Sequence, residues 1–200
     1  MDVCFIIGNN FDLTKYDFTN KIVVGIDRGA YLAFQNNIKL DYAVGDFDSI
    51  SAQELEELST YTNVVKLNPI KDDTDTLYAL NMFKECDNLI ILGGITGKRI
   101  DHFVANLKLF YQFPNLVIVD NDTVIKLCDK ISNFQKDEYN FYSFFALEDV
   151  YDLSLKGFKY EVENYHLSHM SNLGVSNEIE NEVASLSYSK GKLLLIKTKE

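Results

Sequence analysis

Aspartates gather in three short segments of the chain, and together their carboxylates could hold a divalent cation. Residues 45–49 read Gly-Asp-Phe-Asp-Ser, residues 71–75 read Lys-Asp-Asp-Thr-Asp, and Asp101 follows the glycine-rich segment 93–97. Carboxylates that converge on one site repel each other unless a cation intervenes. Hard oxygen ligands suit Mg²⁺, which commonly takes one or two carboxylates together with water and phosphate oxygens. The chain offers no Cys/His set for zinc.

Each acidic segment has a simpler interpretation when it is taken alone. If residues 45–49 are extended, Asp46 and Asp48 point together while Phe47 points into the core. An isolated pair of this kind is usually a solvated turn, and acidic residues before a helix often only cap it. The three segments carry more weight together, because all are expected at the carboxyl ends of strands, where open α/β sheets bind ligands.

The segment at residues 93–97 could bring the backbone close to a phosphate, and the helix after it would offer free N–H groups to an anion. Neither GxGxxG nor GxxxxGK[ST] occurs, so this is not a dinucleotide or P-loop fingerprint. Arg99 could grip phosphate through two N–H groups, or it could form a surface salt bridge with Asp101. Arg99, His102 and Asn106 form a polar stripe on this helix. The stripe predicted to be buried contains Ile100, Phe103, Val104 and Leu107, and Phe110 continues the helical spacing.

The elements that position these residues alternate over the first 120 residues. Apolar runs rich in Val and Ile suit strands covered on both faces of a parallel sheet. Ser51, followed by Glu54, predicts the start of a helix. The strand–helix alternation predicts an α/β domain. The predicted strands are residues 3–7, 22–26, 42–44, 64–67, 89–92 and 116–119.

The pattern changes near residue 123 to short runs with partial alternation, with a predicted hairpin turn at residues 188–192. We predict two domains: residues 1–123 form a mainly parallel α/β domain, and residues 124–200 form a small all-β sandwich. A lone domain this small buries a marginal core, so support from the first domain or a second subunit is expected. The predicted strands of the second domain are residues 124–128, 139–146, 150–155, 182–187 and 193–197.

Composition excludes several classes of protein. The formal net charge is −11 with no basic run, which disfavours a nucleic-acid partner. No stretch approaches the roughly 20 apolar residues of a membrane span, and the first apolar run lacks the basic lead of a signal peptide. The 3 cysteines are widely spaced, as expected of free thiols in a reducing compartment. We therefore expect a cytoplasmic protein without a membrane partner.

Five segments, in order along the chain, resemble motifs of the thiamine pyrophosphokinase family. Residues 27–30 resemble its Asp-x-Gly-Ala element, and residues 45–50 match its Gly-Asp-Phe-Asp-Ser signature. Residues 72–75 match Asp-x-Thr-Asp, and residues 93–102 match the Gly-Gly…Gly-x-Arg-x-Asp-His block. Residues 174–178 resemble the Ser-Asn segment of its C-terminal domain.

This resemblance implies a homodimer that moves a pyrophosphoryl group from ATP to thiamine with Mg²⁺, giving thiamine diphosphate and AMP. It implies ATP and Mg²⁺ on the α/β domain and thiamine near the subunit interface. The implied catalytic residues are Asp46, Asp48, Asp75, Arg99 and Asp101. The implied metal ligands are Asp46, Asp48, Asp72 and Asp75. The implied nucleotide-binding residues are Asp27, Arg28, Gly29, Ser49, Asp72, Thr74, Gly97 and His102. Ser176 and Asn177 are implied for the thiamine pyrimidine.

Two alternatives remain open at this stage: a related Mg²⁺-dependent transferase or hydrolase with another substrate, and a nucleotide sensor without catalysis. The proton acceptor also stays open, with Asp75 and Asp101 as candidates. Some family members stack a Trp on thiamine, and this chain has none. Tyr165, His166 or a Phe is the expected substitute.

Overall fold

The computed structural model describes residues 1–8, 11–96 and 99–200. The chain divides into two compact units, Met1–Asn121 and Asp122–Glu200. Gly97, predicted to bind nucleotide, and its neighbour Lys98 lie outside the described residues.

The first unit is built on a parallel sheet of six strands in the order β4-β3-β2-β1-β5-β6. All six predicted strands and their parallel pairing are confirmed. β1 lies at the centre, with Cys4 in register with Val23 on one side and Ile90 on the other. The strands are β1 (Asp2–Ile7), β2 (Ile22–Ile26), β3 (Tyr42–Gly45), β4 (Asn63–Lys66), β5 (Asn88–Leu92) and β6 (Leu116–Asp120).

Four α-helices in the described residues connect these strands. They are α1 (Arg28–Gln35), α2 (Ala52–Tyr61), α3 (Asp75–Met82) and α4 (Ile100–Lys108), and short 3₁₀ helices span Leu13–Lys15 and Leu109–Tyr111. Residues from the strands, from the helices and from the loop after β3 form one buried cluster that includes Ile6, Ala30, Phe47 and Leu58. Phe47 is 4% exposed, which confirms the prediction that it points into the core. None of the helices in the described part of the chain is long and apolar enough to span a membrane.

The predicted start of α2 is confirmed, because Ser51 and Glu54 form a capping box. The Ser51 hydroxyl accepts a hydrogen bond from Glu54 N at 3.2 Å, and the Glu54 carboxylate accepts one from Ser51 N at 2.6 Å. These bonds satisfy two backbone donors that the first turn leaves free.

Replacing the capping serine, Ser51→Ala, is expected to lower the free energy of unfolding by about 1 kcal/mol, the usual effect of losing such a cap. Urea unfolding followed by circular dichroism measures the change. Ser59→Ala, on the same helix and away from the cap, is the matched control. An unchanged midpoint in Ser51→Ala would contradict a stabilising role for the capping box.

The apolar stripe predicted on α4 is only partly buried. Phe103 and Leu107 are half-buried, but Ile100 is 68% exposed and Val104 is 49% exposed. The prediction that these two residues are buried is therefore wrong for the isolated chain. Asn106, predicted on the polar stripe, is 5% exposed. The helix is thus rotated so that part of its polar stripe faces inward.

The second unit is all-β, and its longest strand belongs to two sheets. The N-terminal half of β9 pairs with β12, and the C-terminal half pairs with β10 and β11. One buried cluster takes Phe144 and Leu193 from the first of these sheets and Leu155 and Leu186 from the second, as in a sandwich. The strands are β7 (Thr123–Leu127), β8 (Ile131–Gln135), β9 (Phe141–Lys156), β10 (Val162–Leu167), β11 (Val183–Ser187) and β12 (Lys190–Thr198).

Two details of the second unit differ from the predictions. The hairpin predicted at residues 188–192 is wrong: β11 pairs with β8 and β9, whereas β12 pairs with β7 and β9. The turn between them therefore crosses from one sheet to the other. The runs at residues 139–146 and 150–155 are one continuous strand, β9. The mostly exposed strands β8 and β10 have little apolar signal and were not predicted.

Candidate functional site

Three carboxylates meet at the carboxyl edge of the parallel sheet. One oxygen each of Asp27, Asp46 and Asp75 lies within 4.8 Å of the other two. Asp27 follows β2, Asp46 follows β3, and Asp75 opens α3 after β4. Since β2, β3 and β4 are neighbours, the fold brings together side chains that are up to 48 positions apart in sequence. We call these three residues the acidic cluster.

The backbone at Asp27 is strained, and its surroundings hold it in place. Its φ of 48° and ψ of −124° are rare for a residue with a side chain. Asp27 N donates to Val44 O at 3.0 Å, and Phe47 N donates to Asp27 Oδ1 at 3.4 Å. A Cβ at Gly45 would overlap this carboxylate, so glycine is required there. The Asp-x-Gly-Ala and Gly-Asp-Phe-Asp-Ser segments therefore form one packed unit.

Burial raises the pKa of the Asp27 carboxyl from its ordinary 3.8 to about 7. The negative charge of Asp75 adds to this effect, and Asp46 and Asp48 contribute further. The hydrogen bond from Phe47 N acts in the opposite direction. The cluster therefore concentrates negative charge where solvent screens it poorly, which favours a cation.

Lys71 partly neutralises the acidic cluster. Its Nζ lies 2.9 Å from Asp75 Oδ1 and 3.4 Å from Asp46 Oδ2, and its side chain is 19% exposed. Burial acts to lower the pKa of Lys71, but the contacts with Asp75 and then Asp46 raise it overall. Although the ammonium is within ion-pair distance, Asp75 Oδ1 is buried without a hydrogen-bond donor of suitable geometry in the described residues. A buried carboxylate oxygen left in this state suits a metal ligand.

A cleft of about 590 Å³ lies at the same edge of the sheet. At one wall, Arg28 Nη1 donates to the Ser49 carbonyl oxygen at 3.1 Å. On another, Arg99 pairs with Asp101: its Nε donates to Oδ1 at 3.0 Å, and its Nη2 to Oδ2 at 2.7 Å. The cleft is lined by Ile7, Gly8, Ile26, Asp27, Arg28, Ser49, Thr76, Gly94, Ile95, Thr96, Arg99, His102 and Asn106.

The remaining predicted residues lie around this site in different states. Asp48 and Asp72 are exposed and are not members of the acidic cluster. Thr74 caps α3 by accepting from Leu77 N at 3.2 Å. Hydrogen bonds from Arg99 lower the pKa of Asp101 to about 2, which makes it a weak proton acceptor while it is paired. Gly29 is needed because a Cβ there would overlap Ile6 O.

Asp120 is a supporting residue that the sequence did not reveal. It is 3% exposed at the end of β6. Its Oδ2 accepts from Ile95 N at 3.2 Å, from Thr96 N at 3.1 Å and from Thr96 Oγ1 at 3.3 Å. Its Oδ1 accepts from Asn121 N at 2.8 Å. An aspartate directly after an apolar strand was the available signal. Asp120 fixes the described part of the glycine-rich segment.

If the cleft binds the nucleotide that the resemblance implies, Asp120→Asn is expected to weaken that binding about tenfold, a loss of roughly 1–2 kcal/mol, because an amide NH₂ would face N–H donors and loosen the loop. Calorimetric titration with AMP measures the affinity. Asp122→Asn, exposed two positions further on, is the control. Equal affinity in Asp120→Asn and the native chain would exclude this positioning role.

Ser176 and Asn177, in the second unit, differ in their freedom to bind a ligand. Asn177 is 2% exposed, and its Oδ1 accepts from Tyr160 N and Glu178 N, both at 3.0 Å. Its Nδ2 donates to Tyr160 O at 2.9 Å, so protein groups already use the amide. Ser176 is exposed with a positive φ of 56°, and its N–H donates to Ser143 Oγ at 2.9 Å.

The aromatic candidates for stacking lie on the same unit. His166 stacks on Tyr151 with ring centroids 4.6 Å apart and planes at 9°. Its Nε2 lies 3.3 Å from Asp149 Oδ2. Tyr165 is 38% exposed. Tyr151 and His166 therefore form a stacked pair in the structure, whereas the sequence suggested only individual residues.

The fold and this site together define an α/β protein with a ligand cleft and a carboxylate cluster at the carboxyl edge of its sheet. The profile described as "Thiamin pyrophosphokinase, catalytic domain" matches residues 13–120. The profile described as "Thiamin pyrophosphokinase, vitamin B1 binding domain" matches residues 130–193.

Individual proteins show the same similarity. A protein of Bacillus subtilis (strain 168) named thiamine pyrophosphokinase is 34% identical over 203 residues, covering 94% of this chain and 92% of that protein. The crystal structure of thiamine pyrophosphokinase from Bacillus subtilis superposes with a TM-score of 0.90 at 30% identity, covering 100% of both chains. The thiamin pyrophosphokinase from Geobacillus thermodenitrificans gives 0.86 at 28% identity, covering 100% of this chain and 98% of that one.

This chain belongs to the thiamine pyrophosphokinase family. The family predicted from the five motifs is thereby confirmed, and so is the fold class of an α/β catalytic domain followed by a β-rich domain.

Proposed function

We propose that this chain transfers the pyrophosphoryl group of ATP to the hydroxyl of thiamine, giving thiamine diphosphate and AMP. The observation that carries the proposal is the acidic cluster beside the cleft, in a chain of this family. The thiamine hydroxyl attacks the β-phosphorus of ATP, the bond to the α-phosphate oxygen breaks, and AMP leaves. Such chemistry depends mainly on positioning and charge neutralisation.

The acidic cluster fits Mg²⁺. Its three carboxylates supply hard oxygens, and one of them, Asp75 Oδ1, is buried 2.9 Å from Lys71 Nζ and has no hydrogen bond of suitable geometry in the part of the chain described. Asp27, Asp46 and Asp75 would hold the ion, with Asp48 and Asp72 within the same acidic loops. When bound, Mg²⁺ neutralises phosphate charge and lowers the repulsion between nucleophile and donor. Compared with the ligands expected from the sequence, this assignment keeps Asp46 and Asp75, adds Asp27, and leaves out Asp48 and Asp72, which are exposed.

Three basic side chains can bind the phosphates. Arg28 lines the cleft, and Lys71 already contacts the acidic cluster. Arg99 is 69% exposed. Its planar guanidinium can therefore leave Asp101 and bind a phosphate without losing much buried contact. Ser49, Thr74, Gly29 and His102 would complete the nucleotide site.

The proton of the thiamine hydroxyl needs an acceptor. Asp75 pairs with Lys71, and Asp101 pairs with Arg99, so both candidates from the sequence are engaged. Asp48 is exposed beside Asp46, and its carboxylate has no hydrogen bond or ion pair among the described residues. We assign the acceptor role to Asp48.

Thiamine would bind to the second unit. Ser176 is the better of the two predicted contacts, because its hydroxyl is exposed whereas Asn177 is committed to the backbone of Tyr160 and Glu178. The strained backbone at Ser176 supports a functional role. The stacked pair of Tyr151 and His166 is the aromatic surface that could replace a Trp.

A homodimer in the cytoplasm fits the exposed surface and the cysteines. Ile100 and Val104 lie one turn apart on α4 and are exposed, as is common for residues that a partner subunit covers. All three cysteines are free thiols, which suits a reducing compartment. Light scattering at several protein concentrations tests the dimer, and a monomer under all conditions would contradict it.

The decisive experiment measures AMP release from ATP and Mg²⁺ with and without thiamine. AMP formed only with thiamine, together with thiamine diphosphate, supports the proposal. ADP or free phosphate would indicate the alternative transferase or hydrolase. Nucleotide binding without turnover would indicate a sensor.

A further inference from the structure

One polar side chain in the cleft is nearly buried and has no side-chain hydrogen bond among the described residues. This is Asn106, on α4, which is 5% exposed and lines the cleft. Its amide atoms are not among the fully buried atoms that lack a partner, so a ligand or water in the cleft can reach and satisfy them. Arg99 and His102, on the same polar stripe, are 69% and 58% exposed. Asn106 is therefore the deep polar group of this wall.

The surroundings of Asn106 suit a flat, neutral group. Ile7, at the end of β1, and Ile95, after β5, are apolar neighbours in the cleft. Gly94 packs closely against Ile7 and Asn106: a Cβ there would overlap Ile7 and lie 3.2 Å from Asn106 Nδ2. This end of the cleft therefore combines apolar side chains with one amide, a lining that suits a ring with polar atoms at its edge.

The acidic cluster lies at other strands. Asp46 follows β3, whereas Gly94 follows β5, and the sheet order places three interstrand spacings between them, roughly 14 Å. Asp27 and Arg28, which follow β2, lie between the two. A ligand that spans this edge would meet the acidic cluster at one end, and at the other end the amide of Asn106, with Arg99 about two turns earlier on the same face of α4.

We propose that Asn106 reads the edge of the donor's base and selects a 6-aminopurine. The inference rests on the proposed function, because it takes a nucleoside triphosphate as the ligand. The Asn106 Oδ1 accepts from the exocyclic N6 amine, and Nδ2 donates to N7, the bidentate pairing that an amide makes with adenine. Hypoxanthine carries an acceptor at position 6 and keeps only the N7 bond. A 7-deaza base keeps only the amine bond.

The test compares ATP, ITP and 7-deaza-ATP as donors, and AMP with IMP in equilibrium binding, on the native chain and on Asn106→Leu. We expect the native chain to prefer ATP over both analogues by about 10- to 100-fold in kcat/KM, the usual discrimination of one bidentate pair. In Asn106→Leu that preference should fall to within about threefold, while the KM for thiamine stays unchanged. Asn81→Leu, exposed on α3 and outside this cleft, is the matched control.

A second variant keeps the shape of the side chain. Asn106→Asp retains the acceptor and loses the donor, so it should stop distinguishing ATP from 7-deaza-ATP. If Asn106→Leu does not fold, this variant and its binding of AMP against IMP decide the question. An unchanged base preference in the variants, or no preference in the native chain, overturns the inference.

The binding measurements separate this inference from the proposed function. If the chain prefers AMP over IMP and this preference depends on Asn106, the result supports base recognition by Asn106 even if no thiamine diphosphate forms. If AMP release depends on thiamine but the base preference does not depend on Asn106, base recognition by Asn106 is overturned and the proposed function is left intact.

Discussion

An Asp75→Asn variant should lose about a thousandfold in turnover while remaining folded. Asp75 carries the buried oxygen of the acidic cluster, which pairs with Lys71 but has no hydrogen bond of suitable geometry among the described residues. An amide in its place is a weaker cation ligand, and losing several kcal/mol of charge stabilisation corresponds to about three powers of ten in rate. Steady-state AMP release gives the rate, and calorimetric Mg²⁺ titration gives the affinity, which should fall as well.

Two further variants control this experiment. Asp73→Asn changes an exposed carboxylate two positions away and should leave rate and affinity unchanged. Asp48→Asn should lower turnover but keep Mg²⁺ affinity, because we assign Asp48 to the proton rather than the metal. If Asp75→Asn bound Mg²⁺ as tightly as the native chain does, Asp75 would not be a ligand.

In the absence of metal, the native chain should become less stable as pH rises from about 4 to 7, and Asp27→Asn should lack that component. The folded state keeps a proton on Asp27 up to about pH 7, whereas an unfolded chain releases it near 3.8. Its contribution is therefore fully present below pH 4 and is lost as pH rises through the folded pKa. At about 1.4 kcal/mol per pKa unit, the difference reaches up to about 4 kcal/mol above pH 7.

Urea unfolding at pH 4.5 and 7.5 in EDTA, on both proteins, measures this difference. Titrating groups distant from Asp27 affect both proteins alike, so the comparison isolates Asp27 together with the carboxylates coupled to it, Asp75, Asp46 and Asp48. Asparagine accepts the positive φ of this position, which keeps the substitution close to isosteric. Saturating Mg²⁺ should stabilise the native chain more than the variant at pH 7.5. If the free energies of unfolding of the two proteins changed with pH in parallel in EDTA, the pKa of Asp27 would not be raised in the folded state.

The sequence predicted the part of the fold that follows from local pattern. Strands such as β1 and β5 are buried on both faces, so nearly every residue is apolar and the runs are visible. The capping box at Ser51 lies within four consecutive residues and was equally visible. β8 and β10 were missed because they expose most of their side chains and are held by pairing with distant strands.

The candidate site was predicted at the level of segments more than of individual residues. The position of the acidic loops at neighbouring strand ends follows from the topology of a parallel sheet. Which carboxylates meet depends on backbone geometry that spacing does not encode: the unusual φ of Asp27 brings it into the cluster, whereas Asp48 remains exposed. Asp120 could not be assigned, because its partners lie 24 and 25 positions earlier in the chain.

Because β9 belongs to both sheets of the second unit, we expect these two sheets to unfold together. The first half of β9 is hydrogen-bonded to β12, and its second half is hydrogen-bonded to β10 and β11. If one sheet unfolded alone, the continuous backbone hydrogen bonding along β9 would have to break. Amide protons along the whole strand should therefore exchange together, through one global opening. A proteolytic nick within β9 would dissolve both sheets, and with them the surface that carries Ser176.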